Sequence, residues 1–210
     1  MTTCDFHSIH LEGLDLAGKT TACRRISTAL GVNWQIRRNR LTATNPIYDL
    51  ADALRRKEDC GNAILGPLYV AAIAADLEGF VSPVQNLIQD STLLLRSLAY
   101  HTVALTPHVV EPLTAMLPRH PRFTFSVVLT ANHETRLGRL EERSRMNPEE
   151  VAPDDLLIRR DPERFFAMER VLVDIAREHF SATVIDTSSM RETDVVESIL
   201  AAFHRRCECY

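Results

Sequence analysis

The run Gly13-Leu14-Asp15-Leu16-Ala17-Gly18-Lys19-Thr20 restricts this 210-residue chain more than any other feature. It satisfies the pattern G-x-x-x-x-G-K-[ST] at every fixed position. An apolar segment containing Ile9 and Leu11 precedes it, and Thr21, Ala22, Ile26, Ala29 and Leu30 continue beyond it as a helical pattern. Strand, tight loop and helix in that order bring backbone amides together on an anion. The glycines permit the turn, and the helix N-terminus adds the positive end of its dipole. Gly13, Asp15, Ala17, Gly18, Lys19, Thr20 and Thr21 are therefore the candidate nucleotide-binding residues, with Asp15 also a candidate acceptor contact. In such a loop Lys19 reaches the terminal phosphates of ATP and Thr20 offers its hydroxyl to Mg²⁺.

Composition narrows the alternatives. With 45% hydrophobic and 25% charged residues, the chain fits one α/β domain spanning residues 1–210. A formal charge of −4 gives no electrostatic support for a nucleic-acid or membrane-surface role. No apolar run reaches the length of roughly 20 residues that a membrane helix needs, so a cytoplasmic location is expected. The five cysteines lack repeating pair spacing, and Cys207-x-Cys209 reads as an incidental tail feature rather than a metal site. Lys19 and Lys57 are the only lysines among 24 basic residues. Against that arginine bias a retained lysine is informative, because a compact ammonium acts on a phosphate in ways a planar guanidinium does not duplicate.

Strand-like and helix-like segments alternate along the chain, which predicts a parallel sheet with helices on both faces. The strand expectations are Phe6–Leu11, Trp34–Arg38, Val84–Gln89, Phe123–Leu129 and Ala182–Ile185. Helical patterns begin at Lys19, Ile47, Ala63, Thr92, His133, Pro162 and Arg191. Between Glu141 and Asp161 the pattern gives way to a long polar connection, the kind of loop that is usually functional or mobile inside a compact domain.

Two further ingredients of phosphoryl transfer are present. Asp90 closes the third predicted strand, at the edge where open α/β sheets gather ligands, and is a candidate for organising Mg²⁺ or for accepting a hydroxyl proton. Its competing role is a helix N-cap together with Ser91 and Thr92. Arg139, Arg143 and Arg145 enter the polar connection and Arg159, Arg160 and Arg164 leave it. As a set they are candidates to cover the charge that spreads over a transferring phosphoryl group, with Arg143, Arg145 and Arg160 the catalytic candidates.

These residues resemble thymidylate kinase, within the nucleoside monophosphate kinase group of P-loop folds. The opening Ile9-His10-Leu11-Glu12-Gly13-Leu14-Asp15 into Ala17-Gly18-Lys19-Thr20-Thr21 is similar to that family's start. Ala74-Ala75-Asp76 resembles its A-D-R helix, Asn86 to Asp90 its strand ending in D-R-Y, and Ser97-Leu98-Ala99-Tyr100-His101 its S-x-A-Y-Q stretch. Phe165, Phe166 and Glu169-Arg170-Val171 resemble the segment after the family's lid, and Val184-Ile185-Asp186-Thr187 its last strand and the turn beside adenine. The resemblance implies a three-layer fold with a five-stranded parallel sheet, an arginine-containing lid at about 143–160 and Asp186 near the bound nucleotide. It also implies Tyr100 near the acceptor, and a homodimer.

The departures bear on the acceptor. Leu77 stands where the family's A-D-R motif has arginine, Ser91 where D-R-Y has arginine, and Leu16 where some relatives carry a loop arginine. The stretch from Asp90 to Tyr100 is one residue longer than the family spacing, which makes Arg96 a candidate replacement. In place of T-R-E-P-G-G stands Arg37-Arg38-Asn39-Arg40-Leu41-Thr42, a basic cluster suited to a phosphate- or carboxylate-bearing acceptor. Arg38, Arg40, Arg96, Tyr100 and Asp15 are thus the candidate acceptor contacts. The resulting expectation is an ATP-dependent kinase for a nucleoside monophosphate or a modified nucleotide-like acceptor, with thymidylate itself disfavoured. The alternatives are a nucleotide-binding partner module that has lost turnover, and a kinase for a non-nucleotide hydroxyl acceptor with Asp90 as base.

Overall fold

The computed structural model describes residues 6–57 and 60–207. Five strands, β1 (Ser8–Glu12), β2 (Trp34–Arg38), β3 (Asn86–Asp90), β4 (Phe125–Thr130) and β5 (Thr183–Asp186), form one sheet in the order β2-β3-β1-β4-β5, every pair parallel. The first helix, α1 (Lys19–Leu30), leaves the end of β1, and α2 (Pro46–Lys57) and α3 (Asn62–Glu78) come after β2. Next come α4 (Leu93–Val103) and α5 (Pro107–Met116) after β3, and α6 (His133–Met146), α7 (Leu157–Arg160) and α8 (Pro162–Phe180) after β4. The last helix, α9 (Glu192–Cys207), succeeds β5.

Alternation along the strands divides the core between the two faces of the sheet. Ile9, Leu11, Ile88, Phe125, Val127 and Leu129 pack with Ala22, Cys23 and Ile26 of α1 and with Val195, Val196, Ile199 and Phe203 of α9. The opposite face holds a larger cluster in which Leu94, Leu95 and Leu98 of α4 meet Val109 and Leu113 of α5 and Phe165, Leu172 and Ala176 of α8. Both faces of a parallel sheet must be covered, and these two clusters are the covers.

Four of the five predicted strands end one residue early. Glu12, Asp90, Thr130 and Asp186 are polar, so apolar pattern excludes them, yet the ladders extend to pair Leu11 with Asp90 and Thr130 with Asp186. The four strands concerned also begin later than predicted, at Ser8, Asn86, Phe125 and Thr183. The sequence pattern does not mark α5 as a separate element. It starts at Pro107 after a break at Leu105, whose φ of 53° ends α4. The polar connection also proves shorter than predicted. Arg143 and Arg145 sit in the last turn of α6, and two short 3-10 turns, Pro148–Glu150 and Pro153–Leu156, lead from there into α7. No helix among the described residues is long and apolar enough to cross a membrane. Cys209 lies outside the described residues.

Candidate active site

The loop between β1 and α1 is shaped by backbone that only certain residues tolerate. Gly13 has φ 138°, and a Cβ there would stand 2.3 Å from the Leu129 carbonyl oxygen. Gly18 has φ 93° and opens α1. Leu16, with φ 65°, adopts the left-handed region despite its side chain, and that side chain is buried. The loop then closes over the buried Lys19, whose Nζ donates to the Leu14 carbonyl at 2.9 Å. Burial lowers the Lys19 pKa, with the carboxylates of Asp15 and Asp90 opposing.

Thr20 Oγ1 donates to Asp90 Oδ2 at 3.1 Å, so the hydroxyl that begins α1 and the carboxylate that ends β3 share one point. Arg38 Nε lies 3.8 Å from the same oxygen, on a side chain 68% exposed. The N-cap of α4 is Thr92, and it makes no side-chain capping bond. Asp90 is therefore committed to Thr20 and not to capping.

Several residues that fix this loop were not assigned that role from the sequence. Glu12 is fully buried and accepts from Gly13 N at 3.1 Å and Thr92 N at 2.9 Å, tying the loop's first glycine to the start of α4. Burial pushes its pKa up, but His10, Arg96 and Lys19 more than offset this and leave it lowered. Arg136 is the largest fully buried side chain among the described residues. Its Nη1 donates to the Asp15 carbonyl at 2.5 Å, its Nε to the Ala131 carbonyl at 2.8 Å and its Nη2 to Glu169, while its guanidinium lies 4.7 Å from the Phe165 ring centroid. Arg139 Nη1 donates to the Leu16 carbonyl at 2.8 Å and, with Thr187, joins the loop to the turn after β5. A charged residue on the face of α6 that points inward was the only available sign.

Beside the loop lies a cavity of about 200 Å³. Leu14 and Asp15 line it from the loop, Tyr48, Asp52 and Arg55 from α2, Arg96 and Tyr100 from α4, Asp154 from the connection after α6 and Leu157 from the start of α7. Arg96 Nη2 donates to Asp15 Oδ2 at 2.8 Å. The Asp15 carboxyl feels burial first, which raises its pKa, but Arg96 and Lys19 outweigh that and hold it at about 2. Arg96 is correspondingly raised, Asp15 being the main cause. Tyr100 donates to Asn62 Oδ1 at 3.1 Å.

The remaining predicted residues are distributed unevenly. Arg38, Arg40 and Asp90 do not line the cavity. Arg40 pairs with Asp49 of α2 at 2.9 Å, and Arg37 donates to the Leu41 carbonyl, so these two guanidiniums are engaged outside the cavity. Asp76 is buried beneath the same loop and accepts from Leu41 N, Thr42 N and the Thr42 hydroxyl. Arg143 donates to both oxygens of Asp155 at 3.0 Å. Arg145 and Arg160 are exposed and make no ion pair among the described residues. Asp186 is exposed at the end of β5 and accepts from Ser188 N at 2.9 Å and from its hydroxyl, bonds that lower its pKa.

A five-stranded parallel sheet in this order, with a glycine-bracketed loop feeding α1 and an arginine-bearing connection after α6, defines a P-loop kinase fold of the thymidylate kinase kind. Solved structures of that fold align along nearly the whole chain. Thymidylate kinase from Candida albicans superposes with a TM-score of 0.68 at 14% identity, over 95% of this chain and 92% of that one. Deoxyadenosine kinase from M. mycoides with bound dCTP gives 0.60 at 17% identity, over 94% and 99%. Thymidylate kinase from Ehrlichia chaffeensis gives 0.60 at 15% identity, over 95% and 97%. No family model and no curated protein matches the sequence.

Proposed function

We propose that the chain is a kinase that transfers the terminal phosphoryl group of ATP to a small acceptor in the cavity beside the β1–α1 loop. The acceptor class best supported is a nucleoside monophosphate or a nucleotide-like molecule. One observation carries the reading: the loop that presents Lys19 and Thr20 also forms, through Leu14 and Asp15, a wall of the cavity. Donor and acceptor sites therefore share a boundary, which is what direct in-line transfer requires.

The residues present fit a triphosphate and a divalent cation. The space a Cβ would fill at Gly13 is already taken by backbone, and Gly18 directs the first turn of α1 toward the loop. Lys19, parked on the Leu14 carbonyl, is a compact charge able to exchange that oxygen for one of a phosphate. Thr20 and Asp90 would hold Mg²⁺ between them, and the cation would supply charge neutralisation to the phosphates.

Arg96 has a distinct role at the acceptor. It replaces the guanidiniums absent at Leu77 and Ser91, and Asp15 keeps it aimed into the cavity until an acceptor phosphate competes for it. A monophosphate oxygen is already a nucleophile, so positioning and charge neutralisation suffice. The hydroxyl-acceptor alternative with Asp90 as base loses support, because Asp90 faces Thr20 and not the cavity. Arg145 and Arg160, exposed and without an ion pair among the described residues, are the guanidiniums with charge to spare when the connection closes.

The test is ADP release on a panel of nucleosides and nucleoside monophosphates with MgATP, with Lys19→Ala as control. Acceptor-dependent release that vanishes in the control supports the proposal. ATP binding without release on any acceptor would support a nucleotide-binding partner module instead.

A further inference from the structure

The cavity has two polar ends of different character. At the loop end, Asp15 and Arg96 form a single pair beside Lys19. At the α2 end, Arg55 is held by carboxylates from two separate parts of the chain. Its Nε and Nη2 donate to Asp52 Oδ1 at 3.3 and 2.9 Å, and its Nη1 donates to Asp154 Oδ2 at 2.6 Å. Asp52 lies one turn earlier on α2, whereas Asp154 belongs to the 3-10 turn ahead of α7, 99 residues away. Arg56 Nε satisfies Asp52 Oδ2 at 2.8 Å from the solvent side, on a side chain 70% exposed.

Hydrogen-bond accounting then fixes what this end can take. A guanidinium has five N–H donors, and three are committed among the described residues. Both Asp52 oxygens are engaged, while Asp154 has one oxygen, Oδ1, without a partner among the described residues. Tyr69 lines the same end, and burial pushes its phenol up to about 12, so it keeps its O–H. With Arg56 counted the charge is already balanced: two guanidiniums serve two carboxylates, and a further anion would have to break a pair. What fits is an uncharged edge that offers a lone pair to Arg55 and an N–H to Asp154, as a nitrogen heterocycle does.

We infer that Arg55, completed by Asp154 of the connection after α6, reads the heterocyclic head of the acceptor by hydrogen bonds, and that this end rejects anionic heads. The inference rests on the kinase reading above and names the part of the acceptor distant from the phosphoryl group. It also reassigns specificity away from the Arg37–Arg40 cluster, where Arg37 is held by the Leu41 carbonyl, Arg40 by Asp49 of α2, and Arg38 lies beside Asp90. Because Asp154 lies on the connection and Arg55 on α2, the head group is read by both walls at once.

The experiment compares nucleosides and their 5′-monophosphates with ribose and ribose 5-phosphate, which lack the head, using the full chain. Wild type is expected to favour the headed member of a pair by a hundredfold or more in kcat/KM. Arg55→Met and Asp154→Asn should each shrink that ratio at least tenfold, while affinity for ATP is kept. Arg55→Lys should not restore the ratio, since one ammonium cannot hold Asp52, Asp154 and a base together. If Arg55 only latched the connection, headed and headless acceptors would fall equally and the ratio would hold, which overturns the inference. Retained ATP binding with no head-dependent turnover, and no head-dependent binding by calorimetry, overturns it too. Absence of ATP binding in wild type overturns the kinase reading itself and the inference with it.

Discussion

Replacing Arg136 by methionine tests whether the loop is held from behind by a buried charge. In the folded chain this guanidinium is fully buried, donates to two carbonyls, pairs with Glu169 and stacks on Phe165. Methionine of similar length keeps much of the packing but leaves Glu169, 9% exposed, as an unpaired buried carboxylate. Breaking one side of a buried pair costs about 3–5 kcal/mol. Burial lowers the pKa of Arg136 and raises that of Glu169, so each charge is tolerated only because of the other. The double variant Arg136→Met with Glu169→Leu removes both charges and should recover about 1–3 kcal/mol of the loss. Urea denaturation monitored by circular dichroism measures both. The Asp15 carbonyl loses its anchor in either variant, so ATP affinity should remain weakened even where stability returns. A single variant that loses less than about 1 kcal/mol, or a double variant no more stable than the single, would refute the reasoning.

Two further outcomes concern the loop itself. The Asp15 carboxyl has a folded pKa of about 2 against an ordinary value of 3.8, so its contribution is fully present above that ordinary value and is lost as pH falls through 2. The difference corresponds to about 2 kcal/mol, and Asp15→Asn should flatten that portion of the stability profile between pH 5 and 2, measured by denaturant titration at each pH. Gly13→Ala places a Cβ 2.3 Å from the Leu129 carbonyl oxygen in a φ of 138°, and should cost about 1–3 kcal/mol of stability. The same variant should weaken binding of an ATP analogue at least tenfold by calorimetry, because the backbone must shift where the phosphates would lie.

The sheet, its parallel sense and the loop were legible because each rests on local pattern: short apolar segments, alternation with helices, and glycines at fixed spacing. The strand ends were less legible, since Glu12, Asp90 and Asp186 look like residues just past a strand while remaining in the ladder. Which residues stand together was most legible where one segment carries them, as at Lys19 and Thr20. Proximity was not legible where the partners are distant in sequence. Arg136 and Glu169 lie 33 residues apart, and nothing in either segment alone marks a pair. Arg37, Arg38 and Arg40 looked like an acceptor site because charge density is visible in sequence and direction is not. Arg55 was not singled out, because its partner Asp154 lies 99 residues away in the connection after α6.

The most direct test of the account is calorimetric titration of the purified chain with a non-hydrolysable ATP analogue in magnesium buffer, wild type beside Lys19→Ala. One-to-one binding in the wild type, weakened a hundredfold or more by the substitution and by removal of magnesium, is the predicted result. No heat of binding in the wild type, or equal affinity in both chains, would contradict the claim that the β1–α1 loop grips a nucleotide's phosphates.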